Sequence, residues 1–386
     1  MGLHKMMPSK DQRFQFIDLL RFGAVVFMLE GHACDAFLKD SIKQTEFYCL
    51  HGFFHGFVGP VFLFASGLAF GVATFKNWEH YVSWSPQLRR RLVRFLGLIL
   101  IGYALHLPFF SLRKTLFDSS PQEISSFLQV DALQCIGVSL LGLQVLVMAL
   151  GREKWLAQIT LWVSALMLLA SPWVWSISFS RVLPLSLVSY LNVENKSWFP
   201  LFPWASYLLF GTAFAYRFVQ SQRQQRAVNF MKRATALGLA LAGIGMVFSL
   251  ISIGLFPAHD YWRVNPPLNI FRIGILLVVT GVLFFFDQAY RIRFSLPVII
   301  GRESLTIYVV HLMIIYGSVI NPGLGLNWGG QLCVTESLLA FGSVSIFVFL
   351  LAYSWNHLKL NFRNWALVLK LAVAATLIFS FVNRPY

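Results

Sequence analysis

Charge is what this chain has least of. Asp, Glu, Lys and Arg make up 12% of its 386 residues, and the acidic side is the poorer, with 16 carboxylates against 31 Lys and Arg. An ordinary soluble domain is roughly 25% charged, so a soluble globular fold is excluded for the bulk of the chain. Cysteine is scarce too. Cys34, Cys49, Cys135 and Cys333 show no C-x2-C spacing, which removes the common structural zinc frameworks. Cys34 and Cys49 are close enough in sequence for a disulfide in an oxidising compartment, with two inert thiols as the alternative. No G-x-S-x-G elbow, P-loop or dinucleotide fingerprint sits between a strand and a helix, so hydrolase, ATPase and nicotinamide chemistry lack support. Internal repeats and low-complexity linkers are missing as well, which disfavours the inverted-repeat transporters.

What remains is apolar. Hydrophobic residues make up 57% of the chain, and runs long enough to cross a hydrocarbon core of roughly 30 Å fall at about 15–34, 53–75, 92–110, 126–150, 155–175, 200–217, 234–256, 268–288, 294–319, 334–355 and 364–383. The expected fold is an all-α, polytopic membrane bundle of about eleven helices. Pro172 and the tryptophans at 173–175 leave an interfacial or re-entrant piece open as the alternative for 155–175 and 200–217. No small-residue cleavage site follows 28–34, so the first run reads as a retained helix. Connections run to little more than about 20 residues, giving a short tail over 1–14 and one membrane domain over 15–386. Gly67, Gly71, Gly238, Gly243 and Gly245 mark expected close helix contacts.

A net charge of +15 suggests nucleic acid at first sight, but the cations follow topology instead. With a cytoplasmic N-terminus, the inner side collects Lys5, Lys10, Arg13, Lys76, Arg89, Arg90, Arg91, Arg94, Arg152, Lys154, Arg217, Arg223, Arg226, Lys232, Arg233, Arg291, Arg293, Lys359 and Arg363. The outer side collects eight, an excess of about 19 to 8 that follows the positive-inside rule. A bacterial inner membrane is the expected location, with lipid rather than nucleic acid as surroundings and room for a homo-oligomer.

On a helix turning about 100° per residue, Asp18, Arg21, Met28, His32 and Asp35 share one stripe, and Glu30 lies well away from it. Intramembrane ionisable groups are functional candidates, so the stripe is expected to face other helices or a wet cavity. A structural alternative for Asp18 and Arg21 is an i,i+3 ion pair. Polar groups concentrate toward the expected outer half: His32, His51, His55, His106, His259, His311, Asp131, Arg263 and Arg272. His51-x3-His55 offers half of a zinc site without an evident third ligand, so no metal is expected. Asp131 needs a partner, with Arg272 or a histidine as candidates. The 89–94 arginines suit phosphate groups, with a positive-inside anchor on anionic lipid as the structural alternative.

Several stretches carry a resemblance: Ile17-Asp18-Leu19-Leu20-Arg21 with Met28 and His32; Gly59-Pro60-Val61-Phe62-Leu63-Phe64-Ala65-Ser66-Gly67; the basic 89–94 segment; Asp131-Ala132-Leu133-Gln134-Cys135-Ile136-Gly137; Phe202-Pro203-Trp204 with Gly211; and Gly301-Arg302-Glu303-Ser304-Leu305-Thr306-Ile307-Tyr308 with His311. Together they resemble the transmembrane acyltransferases, in particular the group related to the heparan-α-glucosaminide N-acetyltransferase catalytic domain. The resemblance implies transfer of an acyl group, commonly acetyl, from cytoplasmic acyl-CoA to a sugar acceptor, an envelope glycan or glycolipid, on the far side. It implies that Asp18, Arg21, Arg89, Arg90, Arg91 and Arg94 seat the coenzyme, and that Trp204, Arg272 and His311 face the acceptor. His32 then acts as base, since an imidazole of pKa near 6.5 can take and return a proton, with Asp35 to orient it. The heparan enzymes place their histidine in the loop after the first helix, which leaves His51 and His55 as rivals and Asp131 as a further catalytic candidate. Two other classes stay open: a proton-coupled transporter or lipid-linked sugar translocase using the same ionisable groups, and a non-catalytic scaffold subunit.

Overall fold

The computed structural model describes residues 14–251, 254–290 and 296–384. Lys5, Lys10, Arg13, Arg291 and Arg293, with the 1–14 tail up to residue 13, lie outside the described residues. Apart from a two-residue hairpin, β1 (Gly317–Ser318) with β2 (Asn321–Pro322), the regular structure is helical. Among the described residues, each expected apolar run contains a helix or a helix pair: α1 (Gln15–Phe37), α2 (Glu46–His55) with α3 (Val58–Lys76), α4 (Pro86–Leu105), α5 (Ala132–Leu150) and α6 (Glu153–Ser176). The second half continues with α7 (Leu201–Arg223), α8 (Ala227–Leu250), α9 (Pro266–Tyr290), α10 (Leu296–Arg302) with α11 (Ser304–Ile315), α12 (Val334–Asn361) and α13 (Arg363–Asn383).

Among the described residues, seven stretches are long and apolar enough to cross a membrane, counting α2 and α3 as one, and eight if α10 and α11 form one span. The protein is therefore an integral membrane helical bundle. The figure falls short of eleven because α1, α4 and α7, though 23, 20 and 23 residues long, are too charged or too polar to meet the same measure. The stretch 155–175 is no re-entrant piece: α6 is one 24-residue helix with Pro172 near its end. All four cysteines are free, so Cys34 and Cys49 do not form the disulfide considered above.

The run at 294–319 departs furthest from a straight span, bending by 77° between α10 and α11. Glu303 stands at the bend, 5% exposed. A buried carboxylate needs a cation, and Lys359 of α12 supplies it, with Nζ 2.5 and 2.6 Å from the two oxygens. Gly301, just before the bend, lies so close to the Asp18 carbonyl of α1 that a Cβ there would overlap it.

Two apolar clusters meet at α1. Phe16, Ile17 and Leu20 join a large core built from α3 to α9, while Val25, Met28, Leu29, Ala33 and Phe37 join a smaller one with α11 and α12. Glycines permit the closest crossings: Gly67 of α3 faces the Leu208 backbone of α7, and Gly238 and Gly245 face the backbone of α9. Gly243 touches nothing and marks no contact, unlike the expectation for it. We expect Gly67→Val to push α3 from α7 and cost about 1–3 kcal/mol, read as an earlier unfolding transition in detergent.

Contacts sort the helix ends into two layers. In one, the Phe16 amide donates to Asp287 at the end of α9 (3.2 Å), Lys76 lies over Phe14, and Arg223 of α7 pairs with Glu153 of α6 (3.0 Å) and donates to the Phe75 carbonyl of α3. We call this the Asp18 end. The opposite layer, the His32 end, carries the histidine-rich network.

Candidate functional site

At the His32 end, α1 and α11 face each other through two imidazoles. His32 Nδ1 lies 2.8 Å from His311 Nε2, and the rings are nearly parallel, 9° apart. His311 Nδ1 in turn lies 2.8 Å from the Ile307 carbonyl. A carbonyl only accepts, so that nitrogen carries the proton, and the neutral His311 ring then has a bare Nε2. His32 Nδ1 must donate to it. The consequence is a single tautomer: neutral His32 has its lone pair on Nε2, as a proton acceptor requires.

Two carboxylates flank the pair, each held by a tyrosine. Asp131 caps α5, accepting the Ala132 amide at 2.7 Å through one oxygen and the Tyr308 hydroxyl at 2.8 Å through the other. Its partner is thus a tyrosine rather than Arg272 or a histidine. The expectation was incomplete because it sought a charge, whereas an N-cap already satisfies half of the carboxylate. Tyr308 packs edge-on against His311, which brings Asp131 into the same constellation. Asp35 accepts from the Tyr316 hydroxyl at 3.2 Å, and the hydrogen bond of the His32 ring is made with His311. Tyr316 also packs edge-on against His32 and lines a cleft of about 660 Å³ between the 105–126 connection and the β1–β2 hairpin. Glu123 lines this cleft. Hydrogen bonds from the Ser120 backbone and hydroxyl hold its carboxyl below the usual range, so the cleft keeps a negative charge through neutral pH.

On the opposite side of α1, Glu30 forms a separate cluster, as its angular offset implies. One Glu30 oxygen is 3.0 Å from His51 Nε2 and 3.1 Å from Cys34 Sγ, and the other is 2.6 Å from His55 Nε2. The rivals to His32 are therefore bound to a carboxylate, away from the His32–His311 pair.

At the other end, Asp18 is 1% exposed and pairs with Arg302 Nε at 3.2 Å. Arg21 reaches across to α3, where Nη2 stands 3.5 Å from the Ala65 carbonyl. The arginine cluster divides. Arg91 is buried, donating to Thr74 (2.9 Å) and Gln144 (3.1 Å) and stacking 3.3 Å over the Tyr81 ring, so it serves helix packing. Arg89, Arg90 and Arg94 remain exposed. Arg272, 3% exposed, donates to the Trp262 carbonyl and to Asn269, and Trp204 packs against Phe199; neither touches the histidine pair. The side-chain N–H groups Arg272 Nε and Trp204 Nε1 are buried without a hydrogen-bond partner among the described residues.

Tyr316 is the participant that sequence reasoning passes over, while Glu30 and Tyr308 are met there without a role. Tyr308 and His311 are three apart on one helix, a spacing that places them on one face and that points to the pair once α11 is known. A family model described as heparan-alpha-glucosaminide N-acetyltransferase, catalytic, matches residues 13–251, from the start of α1 to just past α8. No curated protein matches the chain significantly. His32 and Asp131 fall inside the matched stretch, and Tyr308 and His311 fall beyond it.

Proposed function

This chain belongs to the heparan-alpha-glucosaminide N-acetyltransferase catalytic family, a family of membrane acetyltransferases, and on that footing we propose that it moves an acetyl or other acyl group from acyl-CoA at its Asp18 end to the amine or hydroxyl of an envelope glycan or glycolipid at its His32 end. In this reading the Asp18 end faces the cytoplasm, with the N-terminus inside, an orientation that the excess of basic residues supports, and the membrane is a bacterial inner membrane. Exposed Arg89, Arg90 and Arg94 offer planar forks to phosphate groups. Arg21 lies farther along α1, and the pantetheine arm of the coenzyme follows the stripe to bring the thioester near His32, about 16 Å on at 1.5 Å per residue.

The observation that carries this reading is the fixed tautomer of His32. His32 Nε2 takes the proton from the acceptor nitrogen or oxygen as that atom bonds to the acyl carbon. The carbon–sulfur bond breaks, and the same nitrogen returns the proton to the departing thiolate. While His32 carries the extra proton, Asp131 and Asp35 supply nearby negative charge. The negative cleft beside Tyr316 favours an amino sugar over an acidic one.

Purified protein in detergent, given radiolabelled acetyl-CoA with glucosaminyl and hydroxyl sugar acceptors, is expected to label the amino sugar and release free CoA. Neither transfer nor CoA release with any acyl donor would count against the proposal. A pH-dependent flux across liposomes that needs no acyl-CoA would replace it with transport.

A further inference from the structure

The Glu30 cluster has no part in the acyl-transfer route, yet its four residues gather three donor types that transition metals prefer. Two i,i+4 pairs on facing helices make it: Glu30 and Cys34 on α1, His51 and His55 on α2. Residues four apart lie one turn above each other on a helix face, so each helix presents two ligands to the other. One donor atom each from Glu30, Cys34 and His51 lies within 4.8 Å of the other two. His55 Nε2, 2.6 Å from the second Glu30 oxygen, stands beside them.

We propose that Glu30, Cys34 and His51, with His55 in the fourth position, bind one divalent transition metal of zinc type. Tetrahedral zinc with bonds of about 2.0–2.3 Å separates its ligands by roughly 3.3–3.6 Å. The observed contacts of 2.6–3.1 Å open by about 0.2–1.0 Å to admit the ion, most of all at His55. Thiolate, imidazole and carboxylate together select zinc or copper over magnesium and calcium.

Gly31 supplies an independent indication. Its missing side chain is where the His55 ring sits, so that a Cβ would collide with Nδ1 and come within 2.9 Å of Cε1. The glycine lets an imidazole lie against the α1 backbone with Nε2 aimed at Glu30. The side chains of Glu30, His51 and His55 are each about one-fifth exposed (21%, 18% and 17%), so an ion has access from solvent. Binding converts the Cys34 thiol to a thiolate: a sulfur–metal bond forms, the S–H bond breaks, and the proton leaves to solvent. The ion would hold the outer ends of α1 and α2 together and keep His51 and His55 from acting as bases.

Full-length protein in detergent, stripped with a chelator and titrated with Co²⁺ without any acyl donor, tests the site separately from acyl transfer. We expect one equivalent bound, with tetrahedral visible bands and a near-ultraviolet thiolate-to-cobalt band, all removed by Zn²⁺. Cys34→Ser should lose the thiolate band, and Glu30→Gln and His51→Ala should each weaken Zn²⁺ binding tenfold or more. Zn²⁺ should raise the unfolding temperature of the native chain and leave that of Cys34→Ser unchanged, which separates loss of a ligand from loss of fold. No stoichiometric binding, a thiolate band that survives Cys34→Ser, or native-like affinity in both Glu30→Gln and His51→Ala would overturn the proposal.

Discussion

Alanine at position 32 should lower kcat for acyl transfer by about 10²–10⁴-fold, the usual worth of a positioned general base, while leaving the KM for acyl-CoA nearly unchanged. The direction of the pH effect follows from the role. A base works only when unprotonated, so turnover of the native protein should rise with pH through the ionisation of His32, and that acidic limb should vanish in His32→Ala. His311→Ala should also reduce kcat without a change in KM, because it releases the constraint that keeps the proton on His32 Nδ1. Full turnover in His32→Ala together with an inactive His51→Ala would move the base to the Glu30 cluster.

The second large effect concerns stability. Lys359→Met removes the cation from Glu303, which is 5% exposed at the 77° bend between α10 and α11. Stripping one partner from an enclosed ion pair costs about 3–5 kcal/mol. Lys359 is itself 40% exposed on its side chain, so water screens part of the loss and about 2–3 kcal/mol is expected. Glu303→Gln combined with Lys359→Met should recover most of it, since no buried charge is then left alone. Denaturant unfolding of the single and double variants measures the difference. A double variant as weak as the single one would mean that the bend is held by backbone packing around Gly301 instead of by the ion pair.

The helices were largely legible, because apolar length and polar punctuation are local properties, and among the described residues every expected run from 15–34 to 364–383 contains a helix or a helix pair. The bend at Glu303 was not, since a carboxylate inside an apolar run declares itself only through the lysine it meets 56 residues later. The site divides in the same way. Angular position on α1 was enough to put His32 and Glu30 on different faces. Their partners, His311 for the one and His51 with His55 for the other, depend on which helices pack beside α1, and tertiary contact decides that. Arg91 shows the limit in another form: in sequence it is one of four neighbouring arginines, yet its place on the helix turns it toward Thr74 and Gln144 while the others remain outside.

The distance in sequence between His32 and His311, 279 residues, bears on how the chain is made. At a synthesis rate of about 5–20 residues per second, α1 is complete roughly 15–55 s before its companions in α10 and α11 exist. Throughout that interval the most ionisable helix of the bundle waits in or beside the membrane without Arg302, His311 and Tyr316. Assembly of this site is thus one of the last events in biogenesis, and a nascent chain halted before α10 cannot assemble it.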